Sequence, residues 1–547
     1  MTRTLILVLA VAAFCLGLLS PLSLLARPPL TVAGWDAPTP AQFRQHLAAF
    51  EKWGLFDGTN IKPTRRVSGK VVESHHAFSR EPWRWEEFAE ALADLRAAKT
   101  TTCRETFLML YANPGDVDWF DDAGWREVVN HWRLLARLAK QGGLRSLLYD
   151  AEPYTKPHSQ FRYGAQPGRD QHSFAEYRAK ARQRGGEVMR AVAEEFPDVK
   201  IFSYRLFSDM LPMLDSGDLT RALESDTYGL QPAFVDGWMD ALPPGFTIVE
   251  GTEDVGYRAN SPAEYNAAFT RQRLRLPEFV APEHREKFAQ HLRIGQSLYL
   301  DAHINPPGNP WHIDSAGSTP AGRLAANLAS ALAASDGIVW LYGEKGRWWA
   351  GGGDKSKLWP EIFPGVVNAI RRAQDPVAFA RSIFASTTPR TNALRNGDFA
   401  KASNAAPEGW FTWQASGSHG TIACADGRLT ISNAGEAVAG IIAETKPGTL
   451  LAVRLRVKST GRGQGALAIG WKTSDGKWTA QAHNAKFFPT GPADTDGWRE
   501  ITGLVEVPSG AGQIIFMPSA AAQLTASDRC DFDDAELVAI PLNNETK

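Results

Sequence analysis

Short apolar runs alternate with longer amphipathic stretches from about residue 30 to residue 375. In the longer stretches, apolar residues recur every three or four positions, which is the spacing of one helix face. Eight strands that alternate with helices favour an α/β fold of the (β/α)8 or TIM-barrel type. The predicted strands are residues 30–35, 54–60, 106–111, 146–150, 199–204, 246–250, 296–300 and 337–342, with 228–231 as a rival for the sixth. The predicted helices include residues 41–52, 85–98, 125–140, 174–196, 262–274 and 322–334.

The chain has 547 residues, which is too long for one compact core, and its pattern changes near residue 376. Beyond a polar segment, short alternating runs are separated by Gly, Pro, Asn and Asp, and this predicts an all-β sandwich. We therefore expect a barrel over 30–375, a linker over 376–392 and the sandwich over 393–541. The predicted sandwich strands are residues 429–432, 450–457, 466–471, 498–507, 513–517 and 535–539.

The first 26 residues are typical of an export signal, because Arg3 is followed by residues 5–26 without a charge. The same apolar run is long enough for a membrane anchor that is not removed. We expect a secreted or periplasmic protein, or one held to the membrane only by its N-terminus. The net charge of −1 and the absence of a basic stripe argue against a nucleic-acid partner.

Two of the four cysteines, Cys424 and Cys530, fall in the predicted sandwich. Export would place them in an oxidising compartment, where they can form a disulfide bond. The alternative is two separate buried thiols. Cys103 is expected to be a buried free thiol.

The segment 144–154 ends an apolar run with two carboxylates, Asp150 and Glu152. Residues two apart on a strand point the same way, so both should project from the carboxyl end of the fourth strand, where barrel enzymes gather catalytic groups. Glycoside hydrolysis needs a proton donor and a second group that attacks or stabilises the sugar carbon, and neighbouring carboxylates supply both. In the structural alternative, Asp150 caps the next segment or pairs with an arginine such as Arg205.

The motif Asp150-Ala151-Glu152-Pro153-Tyr154 resembles the end of the D-x-D-x-E fourth-strand motif of family 18 glycoside hydrolases. That resemblance implies that Glu152 is the general acid and that Asp150 orients the substrate. Leu148 stands where the family has its first Asp. Glu152-Pro153 also resembles the fourth-strand Glu-Pro of the large retaining-hydrolase clan, whose nucleophile lies on strand seven. Strand seven offers Asp301 here and strand six offers Glu250, so both are candidate partner carboxylates.

Further polar and aromatic residues lie near the predicted strand ends and are candidates for substrate binding, since aromatic rings can stack on sugars. For tryptophans such as Trp340, core packing is an equal alternative. The candidates are Trp35, Asp57, Tyr111, Asn113, Tyr154, Tyr204, Arg205, Trp340, Tyr342 and Glu344.

Two motifs of the C-terminal region, Asn396-Gly397-Asp398-Phe399 and residues 531–537, resemble the first and last strands of jelly-roll carbohydrate-binding modules. The resemblance implies a structural Ca²⁺ with oxygen ligands from Asp398 and Asp534. It also implies a sugar platform, for which the candidates are Trp413, Trp471 and Trp478. The alternative is a spacer or interface domain that binds no sugar.

These features predict an exported glycoside hydrolase that cleaves a poly- or oligosaccharide by carboxylate acid/base catalysis without a catalytic cofactor. A second hypothesis is a non-catalytic carbohydrate-binding protein on a hydrolase-like barrel, motivated by the family signatures that the sequence lacks. A third is a metal-dependent reaction such as deacetylation, but His75-His76 has no third ligand at a convincing spacing.

Overall fold

The structure is a computed structural model that describes residues 27–34, 36–113, 115–154, 159–349 and 357–541. The predicted export signal over residues 1–26 lies outside the described residues, as does Trp35. In the part of the chain that is described, no helix combines the length and the apolar character needed to cross a bilayer.

Eight positions in the barrel wall are filled by parallel strands, as predicted. The seventh strand has two pieces: the first pairs with β6 and the second pairs with β8, which in turn pairs with β1 and closes the ring. The break falls at Gly295, where a Cβ atom would lie 2.4 Å from the carbonyl oxygen of Ile338, so only glycine fits. The strands are β1 (Leu30–Val32), β2 (Gly58–Ile61), β3 (Phe107–Tyr111), β4 (Ser146–Asp150), β5 (Lys200–Ser203), β6 (Thr247–Glu250), β7 (Leu292–Ile294 and Gln296–Tyr299) and β8 (Val339–Tyr342).

Helices follow the strands around the outside of the barrel. Residues 228–231 are not a strand, because Gln231 begins α5, and the sixth strand is Thr247–Glu250. Helix α5 was not predicted because it is buried along most of its length and so lacks a polar stripe. The main helices are α1 (Pro40–Glu51), α2 (Ala89–Ala97), α3 (Asp122–Gln141), α4 (Phe174–Glu195), α5 (Gln231–Ala241), α6 (Pro262–Arg275), α7 (Pro320–Ala333), α8 (Val366–Gln374) and α9 (Pro376–Ala385). Shorter elements are a hairpin of Thr64–Val67 and Lys70–Glu73, and helices at Leu219–Ser225, Glu253–Gly256, Arg285–His291 and Trp359–Ile362.

Alternation along the strands sorts side chains between the barrel interior and the helices. Leu148 belongs to an interior cluster with Phe202 and Trp340, whereas its neighbours Leu147 and Tyr149 pack against the surrounding helices. Asp150 is two residues beyond Leu148 and therefore points to the inside at the carboxyl end of β4. The interior packing thus aims this carboxylate at the barrel mouth.

The C-terminal region is a sandwich of two antiparallel five-stranded sheets, which confirms the predicted fold class. One sheet consists of Phe411–Gln414, Glu436–Glu444, Gln513–Ala521, Gln464–Lys472 and Ala485–Phe487. The other consists of Thr421–Ala425, Arg428–Ser432, Arg529–Ile540, Leu450–Thr460 and Arg499–Glu506.

Helix α9 occupies the first part of the segment predicted as a linker. Its Phe379 and Phe384 pack against Leu450 and Val538 of the sandwich. A second contact is made by Glu506, which accepts a hydrogen bond from the Thr319 backbone N–H and pairs with Arg372. The sandwich therefore packs directly against helix α9 and against the barrel residues Thr319 and Arg372.

The three described cysteines, Cys103, Cys424 and Cys530, are buried free thiols, so the predicted disulfide bond is wrong. The strand register gives the reason: Cys424 pairs with Leu429, whereas Cys530 pairs with Ile431 on the other side of the same strand. A full strand separates the two cysteines, which places their Cα atoms about 10 Å or more apart, beyond the roughly 7 Å that a disulfide spans.

We predict that Cys103, Cys424 and Cys530 all react with iodoacetamide when the protein is unfolded without a reductant. Peptide mass spectrometry should find each of the three carbamidomethylated. A Cys424–Cys530 peptide pair linked by a disulfide would contradict the strand register described above. The same treatment after reduction provides the fully labelled control.

Candidate active site

Asp150 and Glu152 lie together at the mouth of the barrel. Asp150 ends β4 and is 4% exposed, and its Oδ1 accepts a hydrogen bond of 2.9 Å from the backbone N–H of Glu152. The Glu152 side chain is 15% exposed. The next strand end contributes Arg205, two residues after β5, so the sequence-predicted trio of Asp150, Glu152 and Arg205 is brought to one place.

Arg205 is the centre of the site because it contacts three carboxylates. Its Nη2 lies 3.1 Å from Oε1 of Glu152 and 2.9 Å from Oε2 of Glu253, and its Nη1 lies 2.6 Å from Oδ2 of Asp209. Glu253 reaches this position because Thr252 turns the chain in the left-handed conformation, with a φ of 55°. A single guanidinium group therefore holds acidic residues from three successive strand ends.

The shared nitrogen fixes how far apart two of these carboxylates can be. Since Glu152 Oε1 and Glu253 Oε2 both contact Nη2 of Arg205, these oxygens lie at most about 6 Å apart, a limit that accommodates the roughly 5–5.5 Å between the carboxyl groups of retaining glycosidases. An inverting pair is wider, because a water molecule must fit between the acid and the sugar.

Burial and mutual repulsion change the acidity of the pair formed by Asp150 and Glu152. Desolvation raises the pKa of both carboxyl groups, and the negative charge of Asp150 raises the pKa of Glu152 further. Arg205 acts in the opposite direction, but its single charge is divided among Glu152, Asp209 and Glu253. The surplus of acid over base therefore favours a proton on Glu152 near neutral pH.

Tyrosine hydroxyl groups also contact the Glu152 and Glu253 carboxylates. Tyr257 donates a 2.8 Å hydrogen bond to Oε1 of Glu253, and Tyr154 donates one to Oε2 of Glu152. Tyr154 is 57% exposed, so it stands at the solvent side of the site. Each carboxylate is thus fixed by one tyrosine and by Arg205.

Glu250, a predicted catalytic residue, is bound by the backbone that follows β5. Its carboxylate is fully buried and accepts hydrogen bonds from the backbone N–H groups of Leu206, Phe207, Ser208 and Thr252, and from the Ser208 hydroxyl. All of its acceptor capacity is used by the chain itself. Glu250 therefore shapes the loop that carries Arg205.

Asp301, the other predicted partner carboxylate, also holds a loop. It is 1% exposed, and its two oxygens accept hydrogen bonds from the backbone N–H groups of Glu344 and Lys345. The Glu344 carboxylate accepts hydrogen bonds from the hydroxyl groups of Tyr299 and Tyr342. Glu344 and Tyr342, two predicted binding residues, are therefore part of an ordered rim after β8.

Other predicted binding residues are buried in the mouth or lie elsewhere. Tyr111 ends β3 and Asn113 follows it; both are buried, and the His76 Nδ1–H donates to the Asn113 carbonyl oxygen at 2.7 Å. Asp57 precedes β2 and contacts Arg27 and the backbone of Leu30, so it lies at the opposite end of the barrel. It was misplaced because the second strand begins four residues later than predicted.

Tyr204 and Trp340 belong to the barrel interior. Their rings stack with centroids 4.5 Å apart, and the Trp340 indole donates a hydrogen bond to the Gly251 carbonyl oxygen. At 6% and 1% exposure, respectively, they form the floor beneath the site. The core-packing alternative for Trp340 is the one that the structure supports.

Sequence reasoning missed Glu253, Asp209 and Tyr257. Asp209 could have been found from its spacing, since it lies four residues after Arg205, at the start of the 3-10 helix Ser208–Asp215. Glu253 had no such signal in the sequence, because the left-handed conformation of Thr252 is what brings it, and not Glu250, to the mouth. Tyr257 directly follows the Glu253–Gly256 helix.

The predicted calcium site gains no support from the structure. Asp534 forms an ion pair of 3.3 Å with Arg456, and Asp398 is exposed. In the described residues, no group of three His, Cys, Asp or Glu side chains has an arrangement that could hold a metal ion.

The three candidate tryptophans of the sandwich divide between its surface and its core. Trp471 is 1% exposed, and its indole donates a hydrogen bond to the His483 carbonyl oxygen, so it is a core residue. Trp413 is 50% exposed and Trp478 is 62% exposed. Both remain available for a ligand on the sheet that contains Phe411–Gln414 and Gln464–Lys472.

Comparison with known proteins does not establish a family. No family model matches the sequence, and no curated protein matches it. One similar solved structure is a CBM4 structure, which is 17% identical over 27% of this chain and 99% of that chain, with a TM-score of 0.21. Another is an arabinose-bound GH51 α-L-arabinofuranosidase, which is 16% identical over 27% of this chain and 26% of that chain, with a TM-score of 0.22. A cyclase from Fischerella sp. TAU is 15% identical over 28% of this chain and 98% of that chain, with a TM-score of 0.22. At such scores, these similarities do not bear on the site.

Proposed function

We propose that the protein is a glycoside hydrolase that cleaves a poly- or oligosaccharide. The observation that carries this proposal is the pair formed by Glu152 and Glu253, held on one nitrogen of Arg205. Their spacing suits a retaining mechanism. The raised pKa of Glu152 suits a proton donor, because its burial and the charge of Asp150 keep the proton in place.

The mechanism that follows has two steps. Protonated Glu152 donates to the glycosidic oxygen while a Glu253 oxygen attacks the anomeric carbon, so the glycosidic C–O bond breaks and a glycosyl ester forms. Ionised Glu152 then removes a proton from water, whose oxygen displaces Glu253 and releases the sugar. Arg205 and Tyr257 keep Glu253 oriented for the attack.

A non-catalytic carbohydrate-binding protein is the second candidate. It is favoured by the contacts of Glu152, since Arg205 binds one of its oxygens and Tyr154 binds the other. A proton donor must release at least one of these contacts to meet a glycosidic oxygen. In both cases we propose that the chain is exported and that Trp413 and Trp478 provide a second sugar-binding surface.

We predict that Glu152→Gln lowers kcat by about 10²–10⁴-fold because the amide cannot donate the acid proton. Glu253→Ala should be inactive in buffer, and sodium azide should restore turnover by attacking the exposed anomeric carbon and yielding a glycosyl azide. Release of reducing ends from cellulose, xylan, mannan, galactan and arabinan measures the wild type and Glu152→Gln. Mass spectrometry of the glycosyl azide product measures the rescue of Glu253→Ala, because that product has no free reducing end.

Glu90→Gln is the matched control, because Glu90 is an exposed carboxylate that pairs with Arg66 on the barrel surface. It should retain wild-type activity. Wild-type rates in Glu152→Gln would refute its role as the acid. Binding of a polysaccharide by the wild type without product release would favour the second candidate.

Asp150→Asn should move the alkaline limb of the kcat/KM profile to lower pH. Asparagine keeps an oxygen that accepts from the Glu152 N–H but removes the charge that raises the pKa of Glu152. Glu152 therefore loses its catalytic proton at lower pH than in the wild type. An alkaline limb that stays in place or moves to higher pH would show that Asp150 does not control this proton.

A further inference from the structure

A cavity of about 650 Å³ adjoins the site on the side of β5 and β6. It runs from Arg205 between the 3-10 helix Ser208–Asp215 and helix α6. Its volume is in the range of about 300–1,000 Å³ that is typical of small-molecule sites. Ala267 and Ala268 line the helix side, and their short side chains leave this space open.

An aromatic pair forms part of the cavity wall. Trp311 is 43% exposed, and its ring centroid lies 4.9 Å from that of Tyr257 at an interplanar angle of 47°. Tyr257 also donates the hydrogen bond to Glu253. A ligand on Trp311 therefore lies next to the tyrosine that contacts the proposed nucleophile, Glu253. A flat, partly exposed indole suits the apolar face of a sugar ring.

The charges along the cavity favour an uncharged ligand. Asp209 and Asp254 line the wall together with Arg258 and Arg271, so the wall carries charges of both signs. Asp209 is paired with Arg205, and Arg271 lies 3.6 Å from Asp215. A wall of mixed sign does not select for a charged ligand, whereas sugar hydroxyl groups can donate to carboxylates and accept from guanidinium groups.

We propose that this cavity is a subsite for a neutral sugar unit next to the bond cleaved between Glu152 and Glu253. The subsite rests on the proposed function and extends it, because it makes the substrate a neutral chain that is longer than the two units around the cleaved bond. Trp311 provides the stacking surface, and Asp254 and Arg258 of the wall provide polar contacts for the hydroxyl groups.

The test is the chain-length dependence of kcat/KM for neutral cello-, xylo-, manno-, galacto- and arabino-oligosaccharides of two to six units. Trp311→Ala should lower kcat/KM by about tenfold, or about 1.4 kcal/mol, for the longer oligosaccharides and leave the shortest cleaved substrate nearly unchanged. Trp311→Phe keeps an aromatic ring and should retain most of the length dependence. Leu274→Ala, at a 69% exposed position on α6, is the matched surface control.

An equal loss at every chain length would overturn the subsite, because Trp311 would then act only through Tyr257 and Glu253. Wild-type length dependence in Trp311→Ala would overturn it as well. Tighter binding of oligogalacturonides than of neutral chains would overturn the assignment to a neutral sugar.

Calorimetric binding of the same oligosaccharides to Glu152→Gln separates this proposal from the proposed function. Suppose that the wild type cleaves none of these oligosaccharides, that Glu152→Gln binds them, and that the double variant Glu152→Gln/Trp311→Ala does not. The subsite then stands, and the hydrolase assignment fails. If Glu152→Gln binds none of them and the wild type cleaves none, the subsite is overturned.

Discussion

The site depends on one positive charge that several negative charges share. Arg205 contacts Glu152, Asp209 and Glu253, and Asp150 lies beside them in the same buried mouth. One guanidinium group cannot neutralise this many carboxylates, so a proton is the remaining way to reduce the repulsion. Burial and the repulsion among these acids, which Arg205 only partly offsets, therefore favour a proton on Glu152.

The barrel supports this cluster with buried carboxylates that have a different role. Glu250 binds successive backbone N–H groups after β5, and Asp301 binds two of them after β8. Both hold loops in shape from within the fold. The Tyr204–Trp340 stack fills the floor below. Acidic residues at strand ends thus divide into those that build the mouth and those that face its opening.

Strand periodicity was enough to predict the barrel, the sandwich and the meeting of Asp150, Glu152 and Arg205. It did not separate Glu250 from Glu253, because that choice is made by one left-handed residue, Thr252, whose conformation has no sequence signature. Strand boundaries and register were the second limit on prediction. The second strand begins four residues later than predicted, which places Asp57 at the far end of the barrel. One intervening strand separates Cys424 from Cys530. Exposure of the tryptophans depended on tertiary packing that local sequence does not encode.

The central claim is the proposal that Glu152 protonates the glycosidic oxygen while Glu253 attacks the anomeric carbon, and their shared contact with Arg205 keeps the two carboxylates close enough for both steps. The anomeric configuration of the first product, followed by ¹H NMR before mutarotation, tests it most directly. Two displacements at one carbon predict that the product has the configuration of the substrate. A product of inverted configuration would contradict the account, since a single displacement by water needs carboxyl groups about 6.5–9.5 Å apart.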